Sequence, residues 1–243
     1  MGSCYAITSG KGGTGKSTVC VGLGLTLAKE GKKTLLVDMD EGLRCLDLML
    51  GVESRLTFDL SDVLSGKSIE DATYSALDVP NLFLIPAPDT IGKINPEDFK
   101  IFAEQILNEY DVVIFDFPAG IDFELYKYLP QNVIVLAVCN ADPVSVRDAA
   151  SVCNHIPIAR DKIKLIINKY VYKTLLKGLF TNIDNIIDES GFKLIGVIPQ
   201  SEDLAFFAIN HRLKRRGRAA KAFSRISKRL SGEYKALPKP KKI

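Results

Sequence analysis

Residues 9–18 read Ser-Gly-Lys-Gly-Gly-Thr-Gly-Lys-Ser-Thr, and this short stretch decides the fold. Within it, Gly10 to Ser17 fits G-x-x-x-x-G-K-[ST], the pattern of a phosphate-binding P-loop. The apolar run Cys4–Ile7 predicts a strand before the loop, and Ser17–Glu30 predicts a helix after it, with Gly31 where a helix C-cap is expected. Strand, glycine-rich turn and helix in this order are the context that the motif requires, although a glycine-rich turn without a ligand remains the plain alternative.

The loop carries the chemistry needed to hold a triphosphate. Its backbone N–H groups are expected to point at phosphate oxygens, and the helix N-terminus adds partial positive charge. Lys16 is predicted to pair with the β- and γ-phosphates, and the Ser17 hydroxyl to take a place on Mg²⁺. Lys11 is a second lysine in the loop, either a solvated side chain or a cation that stabilises charge on the γ-phosphoryl group. The predicted nucleotide-binding residues of the loop are Gly10, Lys11, Gly12, Gly13, Thr14, Gly15, Lys16, Ser17 and Thr18.

Length and composition favour one large α/β domain. The chain has 243 residues, of which 47% are hydrophobic, and its net charge of +3 does not by itself imply a polyanionic partner. The longest uncharged stretch, Tyr128–Ala141, is too short to span a bilayer. The N-terminus shows no signal peptide, so the five cysteines are expected to be free thiols in a reducing cytosol.

Two further strands end in acids. Thr34–Asp38 is an aliphatic strand, and Asp40 follows two residues later on the same face. Val112–Asp116 has the Walker B pattern of an aliphatic strand followed by an acid. Acids in strand-to-loop turns are common, but ligands of open α/β sheets bind at this carboxyl edge. The sequence therefore predicts a ligand site at this edge, where Asp116 can hold a water on Mg²⁺ or bond the hydroxyl of Ser17. The candidate magnesium residues are Ser17, Asp38, Asp40 and Asp116.

The rest of the chain alternates between strand and helix signals. Asn95-Pro96 and Asp142-Pro143 each place an N-cap residue and a proline at a predicted helix start. Residues 57–78 predict short helices, and Ala219–Leu230 predicts a closing helix with one apolar and one basic face. The remaining predicted strands are Leu82–Ile85, Val133–Val138, Ile163–Ile167 and Leu194–Ile198.

These motifs resemble one family. Residues 11–18, Lys-Gly-Gly-Thr-Gly-Lys-Ser-Thr, are similar to the deviant P-loop of the MinD/ParA class, and residues 38–51 fit the first switch of its MinD-like members, D-x-D-x-G-L-R-x-L-D-L-x-x-G. Residues 118–122 resemble the second switch. The resemblance implies a three-layer P-loop NTPase fold over residues 1–231, with a mostly parallel sheet of seven or eight strands and helices on both faces.

The resemblance also implies roles for single residues. Asp40 would orient the attacking water near Mg²⁺, and Lys11 would reach the phosphates of a second subunit. A backbone N–H at Gly120 would contact the γ-phosphate. Asn168 would contact adenine, and the loop from Pro199 to Asp203 would close over the base. Lys11, Lys16 and Asp40 are therefore the predicted catalytic residues.

At the level of function, the resemblance implies a slow, partner-stimulated ATPase that uses ATP and Mg²⁺. It would form a homodimer in the ATP state and help to place the division septum. Expected partners are a division inhibitor and an ATPase-activating protein of the Min type. The expected location is the cytoplasm, with peripheral binding to the inner face of the membrane.

Two departures from the family pattern stand out. Cys45 occupies a position where the family usually has Asn. The tail at residues 232–243 is basic and contains Pro238 and Pro240, which exclude the usual amphipathic helix. The tail is therefore predicted to be flexible, and an anionic membrane surface is a candidate partner rather than an established one.

Three alternatives remain open at this level. A ParA-type partition ATPase would bind DNA through residues 212–229, which include a basic run. An iron–sulfur protein similar to nitrogenase reductase would need a cysteine near the second switch, and residues 116–122 contain none. A regulatory scaffold would bind nucleotide without turnover.

Overall fold

A computed structural model describes residues 1–120, 124–175, 180, 182–202, 204 and 217–243. Within them lies an eight-stranded sheet of order β3-β4-β2-β5-β1-β6-β7-β8, parallel except for the pair β3–β4. The strands are β1 (Ser3–Thr8), β2 (Thr34–Asp38), β3 (Tyr74–Ser75), β4 (Leu82–Ile85), β5 (Val112–Asp116), β6 (Ile134–Asn140), β7 (Ile163–Tyr170) and β8 (Lys193–Pro199).

Helices cover both faces of this sheet. The described α-helices are α1 (Lys16–Lys29), α2 (Leu46–Leu50), α3 (Leu60–Leu64), α4 (Pro96–Glu109), α5 (Pro143–His155), α6 (Tyr172–Leu175), α7 (Ile183–Ser190) and α8 (Arg218–Leu230). One apolar core packs α1, α2 and α8 against the sheet, and a second core packs α4, α5 and α7 against its other face. The predicted three-layer α/β fold with a mostly parallel sheet is confirmed.

Local capping explains where several helices begin and end. The side chain of Asn95 accepts hydrogen bonds from the backbone N–H groups of Glu97 and Asp98, and Pro96 is the first residue of α4. Asp142 caps α5 in the same way through the N–H of Ser145. Gly31 follows α1 with a φ of 88°, a left-handed conformation that glycine adopts without strain.

The prediction for residues 57–78 is only half right. The first half forms α3, and Asp59 is the N-cap of this helix in a capping box. The second half makes a turn and then β3, which pairs antiparallel with β4. The hydroxyl of Tyr74 accepts hydrogen bonds from the N–H groups of Thr57 and Phe58 and donates one to the carbonyl of Phe58. This contact, made across about sixteen residues of sequence, favours the strand over a helix, and local pattern does not reveal it.

The C-terminal tail differs from the flexible segment that its composition indicates. Ile243 is buried against the same core as α4 and α5, and Leu237 is half-buried against it. Residues Pro240–Lys242 form a short 3₁₀ turn. Tyr234, in contrast, is 89% exposed. Burial of an isoleucine side chain contributes about 1.5–3 kcal/mol toward holding the end of the tail on the core.

Within the described ranges, no helix has the length and apolar character needed to cross a membrane.

The topology brings the predicted site together. β1 lies between β5 and β6; the chain runs from β1 toward β2 on one side of the sheet and from β5 toward β6 on the other. Open α/β sheets bind ligands at the carboxyl edge where connections diverge in this way. Asp38 at the end of β2 is directly opposite Asp116 at the end of β5, and Asp116 is opposite Ile7 of β1. The P-loop and both acidic strand ends therefore meet at one edge.

Candidate functional site

The loop between β1 and α1 needs its glycines for two physical reasons. Gly13 and Gly15 have φ values of 77° and 88°, in the left-handed region. Gly10 and Gly15 also have close neighbours. A Cβ on Gly10 would lie 2.3 Å from the backbone carbonyl carbon of Asp148 in α5, and a Cβ on Gly15 would lie 2.4 Å from the Nδ2 of Asn168. A side chain at position 10 would push the backbone of α5 away from the loop, and one at position 15 would displace the side-chain amide of Asn168.

Lys16 and Asp116 form a buried ion pair at the centre of the site. The Nζ of Lys16 lies 3.2 Å from the Oδ1 of Asp116, and their side chains are 8% and 1% exposed. Burial alone would lower the pKa of Lys16, but attraction to Asp116, Asp40 and Asp38 raises it overall. Lys16 is therefore charged at neutral pH and ready to meet phosphate oxygens.

Asp38 is fully buried and organises the first switch. Its Oδ1 accepts a hydrogen bond from the backbone N–H of Asp40 at 3.0 Å, and its Oδ2 accepts from the N–H groups of Cys45 and Leu46 at 3.2 and 3.3 Å. Burial, with repulsion from Asp116, raises the pKa of Asp38 from 3.8 to about 7, although these hydrogen bonds oppose the shift. Asp38 thus fixes the backbone on both sides of residues 41–44.

Asp40 and Ser17 complete the predicted magnesium set. Asp40 is half-buried; burial raises its pKa and attraction to Lys16 opposes that shift. Burial also raises the pKa of Asp116, opposed by Lys16 and by hydrogen bonds from Ser17 and Lys16. All four predicted residues therefore lie within electrostatic reach of one another or of Lys16.

In the part of the chain that the structure describes, no three acidic, histidine or cysteine side chains form a metal site by themselves. Ser17, Asp40 and Asp116, without Asp38, nevertheless fit a magnesium ion that is held together with phosphate. Among the described residues, the Oδ2 of Asp116 is buried without a hydrogen-bond partner, so one carboxylate oxygen is left to accept from a metal-bound water. Mg²⁺ prefers oxygen ligands and usually keeps several waters beside one or two carboxylates and substrate phosphates. The hydroxyl of Ser17 and the carboxylates of Asp116 and Asp40 offer such a donor set, whereas both oxygens of Asp38 already accept backbone hydrogen bonds.

Lys11 lies at the rim of the site rather than in it. Its Nζ is 3.7 Å from the Oδ1 of Asp142, and the two side chains are 38% and 45% exposed. Exposed pairs of this kind contribute about 0–1 kcal/mol. Lys11 is therefore held only weakly and can move to another anion, unlike Lys16 on the same loop.

The other predicted contacts lie around the loop. Gly120 has a φ of 111°, and its N–H donates to the carbonyl of Ser9 at 3.2 Å, which places it beside the loop. Pro199 is buried at the end of β8, on the same edge of the sheet. Residues 121–122 of the second switch, Asp203 and residues 212–216 of the basic run lie outside the described residues.

Asn168 and its neighbour contact the loop itself. The Nδ2 of Asn168, which is predicted to contact adenine, donates to the carbonyl of Thr14 at 2.8 Å, and Asn168 is buried. The Nζ of Lys169 donates to the carbonyl of Gly13 at 2.7 Å. Asn168-Lys169 begins like the N-K-x-D motif with which GTPases read guanine, but Val171 replaces the acid, so the sequence assigned no role to Lys169. A φ of 51° at Lys169, uncommon outside glycine, accompanies this contact.

Cys45, which departs from the family pattern of the first switch, lies near Ser17, Asp38 and Asp116. A hydrogen bond with the side chain of Ser17 lowers the pKa of the Cys45 thiol, but burial has the larger effect and raises this pKa to about 11. The thiol is therefore neutral at physiological pH and acts here as a small, weakly polar group.

The pKa of Asp38 predicts how the stability of the nucleotide-free protein depends on pH. The folded protein keeps this proton up to about pH 7, whereas the ordinary pKa is 3.8, so folding binds a proton between these values and stability falls as pH rises. Asp38→Asn cannot ionise. We expect the free energy of unfolding of this variant to improve relative to wild type by roughly 2–3 kcal/mol between pH 5 and pH 8.

Urea unfolding of both proteins, without nucleotide and with a chelator, measures this difference. A gap between variant and wild type that is the same at both pH values would contradict the assignment.

Comparison with known proteins identifies the family. Residues 5–213 match the CobQ/CobB/MinD/ParA nucleotide binding domain. The septum site-determining protein MinD of Thermotoga maritima is 34% identical over 242 residues, which cover 96% of this chain and 89% of the relative. The MinC:MinD cell division protein complex of Aquifex aeolicus contains a chain with a TM-score of 0.84 and 32% identity, with coverage of 98% of this chain and 99% of that chain.

A third similar protein was solved with a ligand. The septum site-determining protein MinD of Pyrococcus horikoshii, complexed with Mg-ADP, has a TM-score of 0.79 and 25% identity, with coverage of 95% of this chain and 96% of that chain. The range that matches the family contains the P-loop, both acidic strand ends and the first switch. The chain therefore belongs to the CobQ/CobB/MinD/ParA family of nucleotide-binding proteins, as its motifs predict, and its similarity extends over nearly its whole length to members named MinD.

Proposed function

We propose that this protein is a MinD-like ATPase whose ATP-dependent dimerisation and hydrolysis regulate the position of the division septum. The observation that carries the proposal is the contrast between two lysines of one loop. Lys16 is buried and paired with Asp116, where it would meet the phosphates of its own subunit. Lys11 is half-exposed at the rim of the site. A cation at the rim is in position to meet the nucleotide of a second subunit.

The chemistry follows from the residues around Lys16. Phosphoryl transfer needs positioning and charge neutralisation more than covalent chemistry. Lys16 and the N–H groups of the loop neutralise the phosphates, and Asp40 orients water for in-line attack on the γ-phosphorus. Bound Mg²⁺, held by Ser17 and through water by Asp116, would supply further neutralisation of the phosphate charge.

The two switches give the nucleotide its regulatory effect. Asp38 holds the first switch by accepting hydrogen bonds from the N–H groups of Asp40, Cys45 and Leu46. In the second, the N–H of Gly120 donates to Ser9 and is available to exchange that carbonyl for a γ-phosphate oxygen. Hydrolysis removes that oxygen, so both switches relax and the dimer separates.

Similarity to the chain in the MinC:MinD complex supports a division inhibitor of the Min type as a partner. An ATPase-activating partner of the same system fits a site in which the ATP-state dimer is the binding-competent form. The protein would then act in the cytoplasm, with peripheral attachment to the inner face of the membrane in the ATP state.

The first test separates the roles of the two lysines. Lys16→Ala removes the buried partner of Asp116 and is expected to lower affinity for both Mg-ATP and Mg-ADP by at least about tenfold, since a charge-assisted contact is worth roughly 1.5–3 kcal/mol. Lys11→Ala is expected to keep Mg-ADP affinity within about twofold, since its ion pair is exposed, while it loses dimerisation with ATP. Calorimetry measures affinity, light scattering measures mass, and phosphate release measures turnover.

Lys100→Ala provides a matched control, because it removes an exposed lysine of α4 that lies outside the loop. If Lys11→Ala dimerises and hydrolyses ATP like wild type, the two-subunit mechanism is wrong.

A second test concerns the matrix to which the ATP state binds. Four lysines of the tail, each worth about 1 kcal/mol near acidic lipid, and the exposed Tyr234 support weak binding that a dimer strengthens by pairing two tails. We expect sedimentation with vesicles rich in anionic lipid in ATP and not in ADP. Lys241→Ala with Lys242→Ala is expected to reduce it by roughly tenfold or more.

DNA is the competing matrix. Ala219, Ala222, Phe223 and Ile226 of α8 are buried. Arg229 donates to the carbonyl of Ile195, so part of the basic face of α8 stabilises the fold. Salt-sensitive, ATP-dependent retention on DNA, with no vesicle binding, would instead favour a ParA-type partition ATPase.

A further inference from the structure

Glu41, the residue after Asp40, makes an unusual set of contacts. Its Oε1 accepts hydrogen bonds from the backbone N–H groups of Lys93 and Ile94 at 2.7 and 3.0 Å, and its Oε2 accepts from the N–H of Gly92 at 3.0 Å. Three successive N–H groups that converge on one carboxylate form an anion-binding nest. Hydrogen bonds to a charged acceptor are stronger than those between neutral groups. The side chain of Glu41 thus connects two loops about fifty residues apart in sequence.

Two further contacts join the same loops. The N–H of Gly42 donates to the carbonyl of Pro88 at 2.9 Å. The guanidinium of Arg44 lies 2.8 Å from the carboxylate of Asp89. The segment 41–44 of the first switch is therefore attached along its length to the loop 88–94.

The loop 88–94 is in turn attached to the body of the protein. It runs directly into α4, which Asn95 caps, and Phe99 in the first turns of that helix is fully buried. Ile94, whose N–H binds Glu41, is itself half-buried against the same core. The N–H groups of the nest are thus held in place by the core, and Glu41 attaches the first switch to them.

Asp40 lies between two such anchors. Its own N–H donates to Asp38 at 3.0 Å, on the side of the sheet. On the other side, the next residue is held by the nest, and the N–H of Leu43 donates to the carbonyl of Asp40 at 3.1 Å. Asp40 is only half-buried and so depends on its backbone for its position.

We propose that Glu41 is a positioning residue for ATP hydrolysis: by binding the N–H groups of residues 92–94 it holds Asp40 where it orients the attacking water. The inference rests on the proposed function, since it assigns Asp40 a role in hydrolysis. Glu41 does not touch the phosphates. Its removal therefore affects turnover rather than nucleotide binding, because a small misplacement of a catalytic group costs rate without loss of ground-state affinity.

The test uses the full chain and a graded pair of variants. Glu41→Gln keeps one oxygen for the nest, and Glu41→Ala keeps none. We expect kcat to fall in the order wild type, Gln, Ala, by roughly ten- to hundredfold for Ala, with the affinity for Mg-ADP and the KM for ATP within about twofold of wild type. Glu53→Ala removes an exposed acid twelve positions further along the chain and serves as the matched control, expected to behave as wild type.

Hydrogen exchange of the nucleotide-free protein measures directly whether Glu41 protects the N–H groups that it binds. The amides of Gly92, Lys93 and Ile94 are expected to exchange faster in Glu41→Ala than in wild type and Glu53→Ala, while those of β1 and β5 are unchanged. Two outcomes overturn the proposal: unchanged exchange at residues 92–94, or unchanged kcat in an otherwise folded Glu41→Ala. Failure of wild type to hydrolyse ATP would instead refute the proposed function, so the two failures are distinguishable.

Discussion

The buried ion pair between Lys16 and Asp116 is the constraint on which the site depends. The two residues lie one hundred positions apart in sequence and meet because β1 and β5 are adjacent strands. Each would be costly to bury alone, and loss of one partner of such a pair typically costs about 3–5 kcal/mol. The pair therefore fixes the P-loop against the Walker B strand before any nucleotide arrives, so the phosphate site is preorganised.

The same edge of the sheet carries more acid than Lys16 can neutralise. Asp38, Asp40 and Asp116 all have a raised pKa, and burial is the largest cause for each. An electrostatic arrangement of this kind favours an added cation near the carboxylates, as a magnesium–nucleotide complex supplies. Asp38 uses its two oxygens to hold the first switch, so the charge balance of the site and the position of the switch are coupled through one residue.

Much of this was predictable from the sequence, because the signals are local. The P-loop, the acidic strand ends and the proline-marked helix starts are patterns within a few residues, and the structure has each of these elements where they predict. The contacts that could not be predicted join distant parts of the chain through a side chain and a backbone group: Tyr74 with Phe58, Lys169 with Gly13, and Glu41 with residues 92–94. A backbone acceptor or donor carries no residue identity, so no pattern of residue types reports such a contact. The burial of Ile243 is of the same kind, since proline and lysine composition indicates a flexible tail but does not show where one isoleucine packs.

Our central claim is that Asp116 holds Lys16 in the nucleotide-free protein and supports the metal through its remaining oxygen. Calorimetric titration of ADP and ATP into wild type and Asp116→Asn, each with Mg²⁺ and with a chelator, tests it most directly. We expect Mg²⁺ to tighten nucleotide binding to wild type, and we expect Asp116→Asn to lose most of this effect while it still binds metal-free nucleotide. An Asp116→Asn variant that keeps the full dependence on Mg²⁺ would contradict it.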